Sequence, residues 1–418
     1  MTDSTDVSTG VTSGRVRSYP FSRNRLDLDP LEAQLLRDEP VCRVQLPYGR
    51  PAWLVTSYEL VKLVLADQRF SREATLVGDN PREEAVDLQV AESILSMDPP
   101  KHTRIRQLVG KAFTSRRVEL LRPRAREVAA NLIDEMKAAG PPRDLVQSYS
   151  FAFPAMVICE LLGIPEADWH KFQSWTTGMS STSTASPEEQ QQIYLNLFSY
   201  FGQLFAERRE HPGNDLLSAL AHARDNDDRL TETELVFQGV GLLVGGRETT
   251  AHQITNVVYT MLAHPGQLDL LRTRPQLIPA AVEELLRFIV LGNAVNPRIA
   301  TTDVQLGDVL IRAGEPVLTD NAAADRDPGV FDRPHEFDIT RQPNPHLSFG
   351  HGPHFCPGSQ LARMELQVTL EAMLSRLPGL RIAVPESELS WQQGTMMRGL
   401  TALPLSWHAS DPEVVGRV

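Results

Sequence analysis

One stretch near the middle of the chain, residues 231–264, most constrains the fold. Thr231 and Glu234 form a capping box, the S/T-x-x-E pattern that predicts a helix N-terminus. The apolar pattern then continues to His264-Pro265, where the proline predicts the end of the helix. About 30 residues at 1.5 Å per residue make a helix about 45 Å long. Its middle, Val240 to Gly246, is apolar on nearly all sides, so we expect the helix to run through the core.

The rest of the apolar pattern is mostly helical, and strands are predicted in two places. Residues Val44–Thr56 predict a hairpin around Tyr48-Gly49-Arg50. Residues Val304–Thr319 predict a second hairpin, with turns at Gly307-Asp308 and Ala313-Gly314. The sequence therefore predicts a mainly α protein with small β-sheets.

No internal repeat or linker divides the chain. We expect a disordered leader over residues 1–19, one domain over residues 20–410 and a C-terminal tail over residues 411–418. Two polar segments, Ser71–Ser96 and Thr176–Ser186, are predicted loops, and long loops in a compact domain often cover binding sites. Solvated connectors without a function are the alternative for both.

Composition and charge exclude several classes of function. Lys and Arg number 41 against 53 Asp and Glu, and this acidity argues against sequence-independent binding to nucleic acid. Three cysteines are too few for a disulfide framework and favour a reducing compartment. The N-terminus lacks the apolar run of a signal peptide, and the apolar stretch Gly239–Gly246 is too short to span a membrane. We expect a soluble, cytoplasmic protein.

The densest chemical signal is FGHGPHFCPGSQLAR, residues 349–363. It places Cys356 in a glycine-rich loop before a predicted helix, Leu361–Leu374. The N–H groups at a helix N-terminus favour a thiolate, and the glycines allow a flat, bulky group to approach the backbone. A buried structural cysteine is the alternative. That alternative suits Cys42 and Cys159 better, because they lie in a predicted strand and in an apolar stretch.

This segment matches every fixed position of F-G-x-G-x-H-x-C-x-G-x-x-L-A-R, and so it resembles the haem-ligand signature of the cytochromes P450. The resemblance implies the cytochrome P450 fold, with haem b between the long central helix and the cysteine loop. It also implies that Cys356 is the metal ligand, the axial thiolate on the haem iron. A thiolate ligand donates electron density that favours O–O cleavage.

Other residues resemble the rest of the family pattern. Glu284 and Arg287 match its E-x-x-R pair, which shares one helix face; an ordinary surface ion pair is the alternative. Residues 321–341 resemble the structural meander that follows that pair. By the same resemblance, cationic side chains bind the haem propionates, for which a guanidinium is well suited. In this sequence they are His102, Arg106, Arg298 and His354.

The central helix carries the sequence GGRETT, residues 245–250, which resembles the family's oxygen-activation motif. The resemblance gives Glu248 and Thr249 the catalytic roles, in which a carboxylate and a hydroxyl bind water and relay protons. The alternative for Thr249 is a hydroxyl that bonds back to a helix carbonyl. Arg247 is uncommon at its position. We expect its charge to face away from the haem, with an acid-binding role as the alternative.

The resemblance covers about residues 20–408 and is to compact bacterial members, in particular to actinobacterial members that tailor macrolides. It implies a monomeric monooxygenase that receives electrons from a ferredoxin and its reductase through a locally basic face. The candidates for that face are Lys101, Arg104, Lys111, Arg116 and Arg117. A solvated helix face is the alternative for them.

The substrate implied by analogy is a macrolide or another polyketide of antibiotic biosynthesis, which the enzyme would hydroxylate or epoxidise. Substrate contacts would come from residues 71–96 and 176–200, the central helix, Ile289–Val295 and Thr395–Met397; the last two segments are apolar, as in pockets for large ligands. An amino acid or acyl chain tethered to a carrier protein is one alternative. A peroxide-driven haem-thiolate enzyme and a non-enzymatic haem sensor are others, but neither needs the Glu248–Thr249 pair.

Overall fold

The computed structural model describes residues 15–21, 25–83, 91–169, 171–172, 175, 186–225, 228–293, 296–392 and 397–408. Its helices are α1 Pro30–Asp38, α2 Tyr58–Ala66, α3 Lys101–Ala112, α4 Ser115–Ala139, α5 Ala152–Leu162, α6 Pro187–Glu210, α7 Leu216–Ala221, α8 Glu232–Ala263, α9 Pro265–Thr273, α10 Ile278–Phe288, α11 Asn321–Ala324 and α12 Ser359–Arg376. Its strands are β1 Arg17–Ser18, β2 Val41–Gln45, β3 Ala52–Val55, β4 Phe70–Ser71, β5 Arg143–Asp144, β6 Arg224–Asp225, β7 Asp228–Arg229, β8 Arg298–Ala300, β9 Val304–Leu306, β10 Val309–Ile311, β11 Pro316–Thr319, β12 Arg381–Ile382 and β13 Pro404–Ser406. The prediction of a mainly α protein with small sheets is confirmed. Within these ranges, no helix combines the length and the apolarity needed to cross a membrane.

The central helix α8 begins and ends where the sequence predicts. The Thr231 hydroxyl accepts the Glu234 N–H at 3.2 Å, and the Glu234 carboxylate accepts the Thr231 N–H at 2.9 Å. All residues from Thr250 to Met261 are buried, as expected of a core helix. In the preceding turns, Val240 and Leu243 are buried, whereas Gly241 and Gly245 are exposed. The two glycines lie four residues apart and so share one helix face. Because glycine has no side chain, this face is open to a bound group.

Helices α4, α5, α6 and α12 pack around α8 and make the main core. Fully buried apolar side chains, among them Phe153, Ile254 and Leu366, fill the space between these helices. Burial of apolar surface stabilises such a core by about 25 cal/mol per Å². Because α12 follows the Cys356 loop directly, its packing against α4 and α8 holds that loop against the central helix.

The first predicted hairpin is confirmed, but the second differs in part. Strands β2 and β3 pair antiparallel, and β9 and β10 form a hairpin that turns at Gly307. After Gly314, however, β11 does not pair with β10. It pairs with β3 and β8 inside a six-stranded sheet of order β1-β2-β3-β11-β8-β4. The physical reason is that β11 is apolar and almost wholly buried, so it needs a central position in a sheet.

The Glu284–Arg287 pair is wholly buried, so the surface-pair alternative is wrong. The two side chains form two hydrogen bonds, of 2.7 and 2.8 Å. Arg287 also donates to the carbonyls of Asp325, Pro334 and Glu336 at 2.8–3.2 Å. The pair therefore clamps the meander of residues 321–341 onto α10, which is the structural role that the resemblance implies.

Candidate functional site

The Cys356 loop approaches neighbouring backbone closely. The Cys356 N–H donates to the Phe349 carbonyl at 2.9 Å, which closes the loop just before α12. Gly352 has φ +70°, and a Cβ there would lie 2.6 Å from the Leu65 carbonyl oxygen. Only glycine satisfies both constraints, because a side chain would be strained and would clash. The loop shape therefore depends on the glycines of the motif.

The Cys356 thiol is half-buried and lies among groups that favour its ionised form. Burial raises its pKa. The Gly358 and Ser359 N–H groups and the charges of Arg106 and Arg363 act in the opposite direction. Binding to a metal ion requires the thiolate and supplies the remaining stabilisation. Cys42 and Cys159 are buried, and burial raises the pKa of each thiol to about 12, in agreement with structural roles.

The four side chains predicted to bind propionates lie together, although they come from three parts of the chain. The His102 ring on α3 lies 4.2 Å from the His354 ring, centroid to centroid. Burial, together with the charges of His102, Arg298 and Arg106, lowers the pKa of His354 to about 3. Arg106 also donates to the Phe355 carbonyl, next to Cys356.

Arg72 joins this cluster, although the sequence analysis did not single it out. It is buried, and its charge also lowers the pKa of His354. Its guanidinium donates to the carbonyls of Leu95, at 2.9 Å, and of Pro297. It lies in the predicted loop at 71–96, and one arginine in a polar loop carries no sequence signal that distinguishes it.

The cluster fits the two carboxylates of a haem. Buried cations destabilise a fold unless they are paired. The Asp98 carboxylate favours the charged forms of His102 and Arg298, but burial outweighs it and lowers the pKa of both. Within the same residues, the buried Nδ1 of His102 has no hydrogen-bond partner. The cluster beside Cys356 thus carries a surplus of cations and an unused nitrogen. These features suit a dianionic, iron-containing group.

On the central helix α8, the Thr249 hydroxyl donates to the Gly245 carbonyl at 2.7 Å. The hydrogen bond from this hydroxyl to a helix carbonyl, which was the alternative for Thr249, is therefore present. The hydroxyl must exchange this bond before it can donate to a bound water. Arg247 is buried, and its guanidinium lies 5.4 Å from the centroid of the Phe151 ring. Residues two apart on a helix point about 200° away from each other, so Arg247 lies on the side of α8 away from the exposed Gly245.

Two of the predicted substrate segments meet in the structure. Gly292 pairs with Met397 in an antiparallel bridge, and the Arg398 N–H donates to the Leu291 carbonyl at 2.6 Å. The other predicted contacts at residues 84–90, 176–185, 294–295 and 395–396 lie outside the described residues.

Comparison with known proteins agrees with this geometry. The family model described as Cytochrome P450 matches residues 144–379. The mycinamicin IV hydroxylase/epoxidase of Micromonospora griseorubida is 48% identical over 399 residues, which cover 95% of this chain and 100% of that protein. The chain belongs to the cytochrome P450 family. As a cytochrome P450 it is a haem-thiolate monooxygenase, so the fold, cofactor and enzyme predictions are confirmed.

One relative of this cytochrome P450 has a name that indicates a different reaction, oxygenation at nitrogen. The nocardicin C N-oxygenase of Nocardia uniformis subsp. tsuyamanensis is 47% identical and covers 95% of this chain and 100% of that protein. A solved structure of the mixed-function P450 MycG matches with a TM-score of 0.91 and 48% identity. It covers 94% of this chain and 100% of that one. Sequence identity alone thus does not select the substrate.

The expected docking face for a redox partner is only partly available. Lys101, Lys111 and Arg116 are exposed. Arg104 instead pairs with Glu234, and Arg117 donates to the Asp215 carbonyl at 2.7 Å. These two therefore connect helices within the protein.

We predict that Arg298→Met weakens haem binding by about 10- to 150-fold, because a charged hydrogen bond contributes about 1.5–3 kcal/mol. Transfer of haem from the holoenzyme to apomyoglobin measures this loss. The matched control is Arg312→Met, since Arg312 is 65% exposed and lies in the β10–β11 turn. Equal transfer rates for the two variants would contradict a propionate role for Arg298.

Proposed function

We propose that this cytochrome P450 inserts one oxygen atom from O2 into a macrolide or a related large polyketide, by hydroxylation or epoxidation. The observation that carries the proposal is the 48% identity to the mycinamicin IV hydroxylase/epoxidase over nearly the full length of both chains. The exposed face at Gly241 and Gly245 supports it, because glycines there leave room beside the motif for a bulky ligand.

In this proposal each residue has a defined task. The haem, when bound, activates O2 with electrons from a ferredoxin and its reductase. Cys356 binds its iron, and His102, Arg106, Arg298 and His354 bind its propionates. Glu248 and Thr249 hold water and deliver protons from the central helix.

Oxidation at nitrogen is a second candidate, and the 47% identity to the nocardicin C N-oxygenase favours it. An amino acid tethered to a carrier protein remains an alternative substrate, and none of the contacts described above favours it.

The test is an optical titration of the ferric enzyme with a macrolide panel, a β-lactam amine and a carrier-tethered amino acid. A saturable low-spin to high-spin shift with a macrolide, followed by an oxygenated product in turnover, supports the proposal. A shift and product with the amine alone moves the assignment to N-oxygenation. Shift and product only with the tethered ligand would assign the carrier-protein class instead.

We predict that Thr249→Ala lowers coupled product formation on the order of 10²-fold, the usual contribution of positioned proton transfer. Reductant and O2 should still be consumed, with release of hydrogen peroxide, because the proton relay and not electron delivery is lost. Product and peroxide measured per reductant consumed give the result. The control is Thr260→Ala, a buried threonine farther along α8. Unchanged coupling in Thr249→Ala would remove Thr249 from the catalytic pair.

A further inference from the structure

The turn at residues 397–400 is held between the central helix and the segment after α10. The Arg398 N–H donates to the Leu291 carbonyl at 2.6 Å, and its own carbonyl accepts the Asn256 side-chain amide at 2.8 Å. Next to it, a Cβ on Gly399 would lie 2.9 Å from the His252 ring. The turn therefore lies directly on α8, about one helical turn beyond Thr249.

The Arg398 side chain continues this connection away from the helix. It is 4% exposed, and its guanidinium donates to the Asp27 carbonyl at 3.0 Å and to Asn293 Oδ1 at 3.2 Å. Asn293 in turn donates from Nδ2 to the Glu83 carboxylate at 2.6 Å. A continuous series of hydrogen bonds thus joins three of the segments predicted to contact substrate.

The direction of the Asn293 amide is decided by Arg398. A guanidinium has only donors, so it must face the amide oxygen. The amide NH2 group is then turned to Glu83, which offers only acceptors when ionised. Arg398 consequently acts on Glu83 through Asn293, without touching it.

Two buried carboxyl groups, those of Glu32 and Asp320, lie within electrostatic range of Arg398. Burial raises the pKa of Glu32 to about 8 and raises that of Asp320, and the Arg398 charge lowers both. Both carboxyl groups lie in the core, at the start of the chain and after β11. A buried guanidinium that donates to Asp27 and Asn293 loses both hydrogen bonds if it moves into solvent.

We propose that Arg398 and Asn293 are positioning residues that set the width of the substrate pocket by holding Glu83, at the end of the 71–83 segment, against residues 291–293. The proposal rests on the proposed function, because it takes the substrate pocket to lie at the segments predicted to contact substrate. It does not depend on which substrate is bound. It assigns ligand-size selection to the hydrogen-bonded series Arg398–Asn293–Glu83. This series lies outside the set of haem-binding and catalytic residues.

The test uses the holoenzyme and two ligands that bind haem iron directly, imidazole and the much larger 1-tritylimidazole. Asn293→Asp keeps the acceptor for Arg398 and places a carboxylate against Glu83. We expect the affinity ratio to shift toward the larger ligand by about tenfold, which corresponds to about 1.4 kcal/mol. The matched control, Asn131→Asp, makes the same change on the exposed face of α4 and should stay within about twofold of the wild-type ratio.

Arg398→Lys gives an independent second variant, because it retains the charge near Glu32 and Asp320 but loses the guanidinium fork. It should shift the ratio in the same direction. The carbon monoxide difference spectrum and the unfolding temperature show that each variant retains haem and fold. A wild-type ratio in either Asn293→Asp or Arg398→Lys, or an equal shift in the control Asn131→Asp, overturns the proposal. Because neither probe is a substrate, failure of the macrolide titration leaves this result unaffected.

Discussion

Replacing Cys356 with His abolishes the strongly red-shifted Soret band of the reduced, carbon monoxide-treated protein and lowers monooxygenase turnover at least about 10³-fold, or about 4 kcal/mol. The red-shifted band requires a thiolate, and imidazole does not donate the electron density that favours O–O cleavage. Absorption spectra of the purified variant, together with product analysis, measure both effects. The cation cluster at His102 and Arg298 is unchanged by this substitution, so haem should remain bound.

The matched control is Cys159→Ala. Cys159 is buried on α5, where its side chain has a structural role. The variant should retain the red-shifted band and lose some stability, because a buried sulfur is replaced by a smaller methyl group. A red-shifted band in Cys356→His, or its loss in Cys159→Ala, would contradict the assignment of the ligand.

The second large effect is on stability. Glu284→Ala leaves the Arg287 guanidinium buried and without its carboxylate, which costs about 3–5 kcal/mol. The same substitution removes an acceptor for the Asp338 N–H and for Arg341, so the meander loses part of its attachment to α10. We expect a lower free energy of unfolding and poor retention of haem. Chemical denaturation and the haem-to-protein ratio measure these losses.

Asp269→Ala is the control for that experiment. Asp269 and Arg272 are also three residues apart on a helix, at 3.2 Å, but their side chains are 72% and 37% exposed. Removing such a pair should change the free energy of unfolding by less than about 1 kcal/mol. Similar losses in the two variants would mean that burial does not increase the contribution of the Glu284–Arg287 pair to the free energy of unfolding.

Local sequence was sufficient for the elements and the ligand loop. The capping box at Thr231 and the proline after His264 set the ends of α8, because helix termini depend on hydrogen bonds within a few residues. Gly350 and Gly352, which precede Cys356, similarly have positive φ values that other residues rarely adopt. The burial of Glu284–Arg287 was not evident from spacing, since an i,i+3 pair looks the same at a surface and in a core.

The sequence by itself determined the family and the boundaries of the central helix, and it predicted the cysteine ligand, because these depend on short-range patterns. Only the tertiary structure decided that β11 joins the large sheet, that Arg72 enters the cation cluster and that Arg398 acts on Glu83 through Asn293. Each of these depends on contacts between residues far apart in the chain. Such contacts are selected by burial and charge pairing in the assembled core, and no local pattern records them.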